Sequence, residues 1–505
     1  MAPPQFEYDF ANNTHGFKGK VSFSAGLFIN NEFVDSVDGK TLDLMNPATG
    51  KPIGKVSLAS EKDVDLAVAA AQKAYDTAWG LKVPGTQRSK YMLKLADLIE
   101  KNADELAALE TLNNGKALMF ARYVDVQGTA DVIRHYAGWA DKISGKTIET
   151  QESKLTYTRI EPIGVVGQII PWNFPLYTLA WKLAPALAAG NTVLFKPSEI
   201  APLSSLRIAE LVAEAGFPAG VVNVVTGLGP VAGAAMSAHM GIGKISFTGS
   251  TAVGRAVMKA AADSNLKKVT LELGGKSPAI IWDDAELETA VRWAAFGSMF
   301  NHGQACFASS RVYVHEGIYD KFLAVFTETL KALKVGDPFA ADTFQGPQIS
   351  QTQFDRIMNY IKIGKEQGAT CHLGGERHGT EGFFIKPTIF TDVTPDMTIV
   401  KEEIFGPVVA VTKFSTQEEL IAAANDSVYG LAASVFSKDI NKAITTANAL
   451  QAGTVWINMA NFPETNMPFG GYKQSGIGKD LGYDAIEGYT EVKAVHINLT
   501  GKPPF

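Results

Sequence analysis

Residues 164–199 read GVVGQIIPWNFPLYTLAWKLAPALAAGNTVLFKPSE. The stretch opens on a short β-branched run, turns through two prolines, continues as an apolar segment of helical spacing and ends on a second β-branched run. The alternation goes on downstream: PLSSLRIAELVAEAGF, VVNVVTG, GPVAGAAMSAH, KISFTGS and AVGRAVMKAAADS follow in turn. Strands that alternate with helices this regularly imply βαβ crossovers and a parallel sheet covered on both faces, an α/β fold. The absence of charge between Glu161 and Lys182 also invites a membrane reading, since that length can span a bilayer. Pro162, Pro171 and Pro175, with Gln168 and Asn173 among them, favour a buried strand, a turn and a helix instead.

A second series runs from PAIIW (278–282) through RVYVHE, a helix from Ile318 to Lys334, FGPVVAVTKF and LAASVFS to GTVWINM (453–459), and predicts a second α/β domain. Upstream, residues 61–79 and 87–110 have helical spacing. The first twenty-five residues read as a loose arm. The run Gly145 to Pro162 is polar and alternating, which suits an exposed hairpin, and Tyr489 to Leu499 is similar. Such edges need a partner strand.

With 505 residues the chain has more than one core. The 46 Lys plus Arg against 52 Asp plus Glu leave a net charge of −6, without the basic footprint of a nucleic-acid reader. Cys306 and Cys371 are too few for a disulfide framework, and no metal-ligand spacing occurs. A reducing, cytoplasmic setting is expected, with no metal, no membrane span and no targeting segment.

Several short motifs carry chemistry. VVTGLGPVA places Gly227, Gly229 and Ala232 in the G-x-G-x-x-A spacing of a dinucleotide turn, but lacks the acidic partner about 20 residues on, so a tight turn is an equal reading. FTGSTAVG (247–254) opens a helix whose free N–H groups suit a pyrophosphate. FKPSE sets Lys196 and Glu199 beyond a strand; the carboxylate suits a ribose hydroxyl and repels a 2′-phosphate, although by itself the motif reads first as a solvated loop charge pair. PWNFP fixes Asn173, whose amide suits an oxyanion, although turn asparagines are common. LELGGKSP ends a strand on Glu272, a base if buried and an ordinary surface carboxylate if not. FNHGQAC holds Cys306, either core filler or nucleophile, with His302 four residues earlier as a conceivable dyad partner.

PWNFP, FKPSE, FTGSTAVG, LELGGKSP, FNHGQAC, KEEIFGPV and MPFGGYKQSG occur in this order. Together they resemble the NAD(P)-dependent aldehyde dehydrogenase superfamily, in particular its broad-substrate, homotetrameric cytosolic and mitochondrial type, over residues 26–499. The resemblance implies a Rossmann-like dinucleotide-binding domain (26–140 and 162–273), an α/β catalytic domain (274–481) and a small β oligomerisation domain (141–161 and 482–499). It implies Cys306 as nucleophile, Glu272 as general base and Asn173 as oxyanion donor. It implies NAD as cofactor, held by Ile169, Ile170, Pro171, Trp172, Lys196, Glu199, Gly229, Phe247, Gly249, Ser250, Val253, Leu273, Gln353, Glu403 and Phe405. It lines a substrate channel with Phe174, Tyr177, Trp181, Phe296, Phe300, Phe307, Phe462 and Phe469, none of them charged, with Thr178 relieving bulk. Ala305 and Phe307 flank the nucleophile where many relatives carry extra cysteines, so no disulfide between adjacent cysteines forms here. The expected reaction is oxidation of an apolar aliphatic or aromatic aldehyde to its carboxylate through a cysteine thiohemiacetal and thioester. Specialised betaine-, retinal- or indole-acetaldehyde dehydrogenases, a catalytically idle structural relative, and a cysteine hydrolase using His302 are the alternatives.

Overall fold

The computed structural model describes residues 2–503. The stretch quoted first forms strand Val165–Ile169, helix Pro175–Ala189 and strand Thr192–Lys196, with both strands buried at every position. Pro175 occupies the first helical turn, where a missing N–H costs nothing, and Gly190 ends the helix in the left-handed conformation (φ 96°). The two strands pair in parallel.

They sit inside an eight-stranded sheet of order 476–477, 268–272, 244–248, 165–169, 192–196, 222–224, 27–29, 32–34. The central five strands are parallel, and antiparallel strands close both edges. From Val165–Ile169 the chain builds outward through 192–196 and 222–224, then returns to the opposite side for 244–248 and 268–272. Such a reversal opens a crevice at the carboxyl ends of the strands, here beside Ile169. The second sheet has seven strands, in the order 370–373, 388–391, 408–414, 311–315, 278–281, 432–436, 454–457. All its pairs are parallel except the edge pair formed by 370–373.

Two expectations need correction, and a third is extended. The first residues are not a loose arm: Gln5–Asp9 pairs antiparallel with Lys20–Ser24, and Phe6 and Phe10 are fully buried. Phe6, Tyr8 and Phe10 alternate with polar residues, a period-two signal. The helical stretch 87–110 is two helices, Gly85–Lys101 and Ala103–Asn114. Asn102 parts them, its Nδ2 donating to the Leu98 carbonyl at 2.8 Å. The polar run 145–162 forms the expected hairpin, with the Ile148 N–H donating to the Thr156 carbonyl at 3.0 Å and the Thr158 N–H to the Lys146 carbonyl at 2.8 Å. Its strand Lys154–Pro162 finds its main partner in Thr490–Asn498, antiparallel along its whole length. Among the described residues no helix is long and apolar enough to cross a membrane, and no group of three or more His, Cys, Asp or Glu is placed to hold a metal ion.

Candidate active site

The first sheet delivers side chains at its carboxyl ends. Past Ile169, the Ile170 N–H donates to the Lys196 carbonyl at 3.1 Å and ties two strand ends together. The turn that follows carries Pro171, Trp172 and Asn173. Asn173 is buried; its Nδ2 donates to the Gln304 carbonyl at 2.9 Å, and Asn301 Nδ2 donates to the Asn173 carbonyl at 3.0 Å. The amide is thus fixed with one N–H to spare, as an oxyanion donor that does not reorganise requires. At the next strand end, Lys196 Nζ donates to the Pro197 carbonyl at 2.9 Å and lies 3.4 Å from Glu199 Oε2. Burial lowers the Lys196 pKa, and Glu199 opposes that. A Cβ on Gly229 would meet nothing within 4 Å, so backbone there is open to a ligand. Phe247 and Gly249 close the neighbouring strand, and Ser250 caps helix Thr251–Asp263 by accepting from the Val253 N–H. Glu272 is the last residue of its strand.

The second sheet delivers side chains at its amino ends. Residues 273–277 lead into Pro278–Ile281, 304–310 into Arg311–His315, and 402–407 into Val408–Phe414, three adjacent strands. Glycines weave the three loops together. A Cβ on Gly275 would strike the Cys306 carbonyl, one on Gly274 the Glu403 carboxylate, and one on Gly303 the Gly406 carbonyl. The Gly275 N–H donates to Glu403 Oε1 at 3.0 Å. Asn301 and His302 sit at φ 51° and 62°, so the chain turns sharply before Cys306; Phe405 is also left-handed, at 62°. Its ring stands edge-on to Trp172 across the gap between the sheets, centroids 5.2 Å apart.

Both sets of loops face one cavity of about 400 Å³, within the range of small-molecule sites. Cys306, Glu272 and Asn173 line it, as do all eight expected channel residues and Thr178. Pro171, Trp172, Gly249, Ser250, Leu273, Gln353, Glu403 and Phe405 line it as well. Ile169, Ile170, Lys196, Glu199, Gly229, Phe247 and Val253 are not on its wall; they occupy the strand ends of the first sheet and the turns and helix starts that follow them.

Glu272 is 3 % exposed, and among the described residues neither of its oxygens has a hydrogen-bond partner. Burial, then Asp480, pushes its pKa well above the carboxylate range, while Lys182 and Lys479 pull the other way. Gly470 leaves it room: a Cβ there would lie 2.6 Å from Glu272 Oε1. Burial also raises the Cys306 thiol pKa, with Glu403 and Glu272 adding to it; the backbone N–H groups of Phe307 and Cys306 lower it. The Glu403 pKa is pushed up to about 7, chiefly by burial, against the Gly275 N–H and the Arg356 and Lys276 cations.

The conceivable Cys306–His302 dyad does not form. His302 is fully buried, its Nε2 accepts the Gly346 N–H at 2.9 Å, and burial pulls its pKa down to about 3. The channel wall is aromatic and mostly buried: Phe296 stacks on Phe300 at 4.8 Å, and Trp181 meets Phe469 edge-on at 5.2 Å. Tyr177 lies against Gly128, where a Cβ would come within 2.7 Å of its ring. Gly128, Asp131, Arg356, Asn461, Glu464 and Asp480 also line the cavity and were missed. Only the folded chain brings residue 131 and the 461–465 loop to one opening, so no local pattern marks them.

Matches to known proteins agree with this geometry. Residues 33–495 match the model of the aldehyde dehydrogenase family. An aldehyde dehydrogenase of Agaricus bisporus is 62 % identical over 490 residues, covering 97 % of this chain and 98 % of that protein. The NAD⁺ complex of a Bacillus cereus aldehyde dehydrogenase superposes with TM-score 0.93 at 50 % identity, covering 94 % of this chain and 96 % of the other. A betaine aldehyde dehydrogenase of Staphylococcus aureus, solved with NAD⁺, gives 0.93 at 42 % identity, covering 95 % and 96 %. The chain belongs to the aldehyde dehydrogenase family. It is an oxidoreductase that acts on the aldehyde group.

Proposed function

We propose that this enzyme oxidises apolar aliphatic or aromatic aldehydes to carboxylates with NAD⁺, through a thioester on Cys306. The observation that carries the proposal is the convergence of Cys306, Asn173 and Glu272 on a single aromatic-walled cavity whose other side is built from Trp172, Glu403 and Phe405. The donor set fits NAD⁺. Glu199 and Lys196 suit the hydroxyls of the adenosine ribose, and the carboxylate disfavours a 2′-phosphate. The open backbone at Gly229 and the capped helix start at Ser250 suit a pyrophosphate. Glu403, with Oε1 held by Gly275, suits the second ribose, with Phe405 and Gln353 beside it. When bound, NAD⁺ supplies the hydride acceptor and a cationic ring.

This chain's own residues do the rest. Cys306 is held as a thiol at rest and must lose its proton before the sulfur attacks the carbonyl carbon; the N–H groups of Cys306 and Phe307 favour the anion. Asn173 and the Cys306 N–H donate to the oxyanion of the thiohemiacetal. After hydride loss the sulfur carries a thioester. Glu272, desolvated and without a hydrogen-bond partner among the described residues, takes a proton from the water that cleaves it once it has itself ionised. A base built into the site favours hydrolysis over acyl transfer to a thiol cofactor.

The same reading divides the chain into a dinucleotide-binding part (26–140 and 162–273), a catalytic part (274–481) and an oligomerisation part (141–161 and 482–499). The ribbon of Lys154–Pro162 with Thr490–Asn498, which exposes Val492 and Leu155, supports a homotetramer. Two free thiols suit the cytoplasm. Cys306→Ser tests the core of the proposal: NADH formation is expected to vanish while NAD⁺ binding, read by fluorescence quenching, persists. Retained turnover would overturn it.

A further inference from the structure

The exposed end of the cavity carries two acidic side chains, Asp131 and Glu464, in front of its aromatic wall. Tyr123 and Phe462, 71 % and 53 % exposed, mark the opening, and Asp131 and Glu464 line it beside them. The charged side chains on the cavity wall are the carboxylates of Asp131, Glu272, Glu403, Glu464 and Asp480, and a single guanidinium, Arg356. Arg356 is occupied at the cofactor end, where its Nη2 donates to the Glu403 carbonyl at 3.2 Å. Asp480 is neutralised by Lys182, 2.8 Å away.

Among the described residues Asp131 and Glu464 have no such partner. The two arginines nearest Asp131 in sequence are engaged elsewhere, Arg122 with Asp104 and Arg134 with Asp97 and Glu100. Asp131 accepts only from Gln127 Nε2, at 3.1 Å. Both carboxylates bear on one residue of the channel wall. The Tyr177 hydroxyl pKa is pushed up to about 12, first by burial and then by Asp125, Asp131 and Glu464.

We infer that Asp131 and Glu464 set a charge preference at the mouth of the substrate channel, favouring aldehydes with a cationic tail and disfavouring those with an anionic tail. Two unpaired carboxylates at the mouth of an apolar cleft concentrate cations there and repel anions. The rings of Tyr177 and Trp181, 5.1 Å apart and edge to face, offer π-surface to an incoming cation. The buried aromatic wall beyond takes the uncharged stem of the apolar aldehydes proposed above, and among them those ending in an ammonium group are favoured, uncharged tails being tolerated. The same field helps expel the carboxylate product. This inference rests on the reading of the cavity as the substrate channel of Cys306.

The test uses three aldehydes of equal length, ending in trimethylammonium, tert-butyl or carboxylate, with the full-length enzyme and NAD⁺. Wild type is expected to rank them cationic, neutral, anionic in kcat/KM. Asp131→Asn combined with Glu464→Gln is expected to shrink the cationic-to-anionic ratio by about 5- to 10-fold, the scale of two exposed charges. The change should fall on KM and move the neutral substrate far less. Raising the salt should shrink the ratio in wild type and leave the double variant nearly unmoved, because exposed charges are screened. An unchanged ratio in the double variant, with the neutral aldehyde still oxidised, would overturn this inference alone. Turnover of the neutral aldehyde by Cys306→Ser would overturn the underlying reading as well.

Discussion

The two sheets are built from the same parallel units, yet they turn opposite ends to the cavity. The eight-stranded sheet offers carboxyl ends, where Asn173, Lys196, Ser250 and Glu272 follow or finish strands; the seven-stranded sheet offers amino ends, where Gly275, Cys306 and Glu403 precede them. Carboxyl ends lead into helices whose first N–H groups are free, and a turn such as Gly229 faces open space. They suit an extended, anionic ligand that must come and go. The amino-end loops are woven into one another through Gly274, Gly275 and Gly303, with no room for a side chain. That rigidity suits a nucleophile, because a small displacement of reacting atoms is costly. Mobility of ligand and fixity of sulfur are thus assigned to different ends of the same architecture.

Asn173 joins the two halves, sitting on a first-sheet turn and bonding to Gln304 in a second-sheet loop. Asn173→Ala removes both the tie and the proposed oxyanion donor. It is expected to lower kcat about 10²- to 10³-fold, the usual loss for one such donor, with NAD⁺ affinity nearly intact. Steady-state kinetics beside a binding titration check this; a loss confined to KM would mean that the amide only holds the loop.

The contrast sharpens with a pair of glycines. Gly275→Ala pushes a methyl into the Cys306 carbonyl and should cost about 10²-fold in kcat by displacing the sulfur. Gly229→Ala meets no protein atom, so its fold is undisturbed, and its methyl enters the space assigned to cofactor. It should raise the KM for NAD⁺ several-fold and leave kcat within about twofold, a split typical of lost ground-state binding. Equal effects of the two substitutions would erase the distinction between the sheets.

This asymmetry also explains what could be read before folding. The rule that ligands gather at carboxyl ends points to Lys196, Glu199 and Ser250, and strand–helix alternation gives the parallel strands of both sheets, though not their spatial order. It does not lead to Cys306, whose loop precedes its strand; only the ordered set of motifs singles that residue out. Helical spacing could not separate His302 from Cys306, because the left-handed turn at Asn301 and His302 depends on packing against Gly346 and Gly406. Asp131 and Glu464 belong to segments more than three hundred residues apart, and only tertiary contact places them at one opening. The buried Phe6 and Phe10, by contrast, alternate with polar residues and were legible in the chain.

Glu272 gives the smallest effect and bears on the cost of keeping the proposed base at a strand end. Its pKa is raised because burial favours the neutral acid. Between the ordinary carboxylate pKa and the raised one, the folded protein therefore binds more protons at this site than the unfolded chain. Stability from this group is complete below the ordinary value and declines as pH climbs through the raised one. Glu403 adds a parallel decline toward its value of about 7, common to wild type and variant. The difference between Glu272→Gln and wild type isolates Glu272. Melting temperatures should nearly coincide at the acid end of that window and separate by roughly 1–2 °C in favour of glutamine at pH 8. The same substitution should abolish the rise of thioester hydrolysis with pH. If the glutamine variant melts lower at pH 8, Glu272 is held by contacts that favour its charge, and the carboxyl end of this strand is no freer than the woven loops opposite.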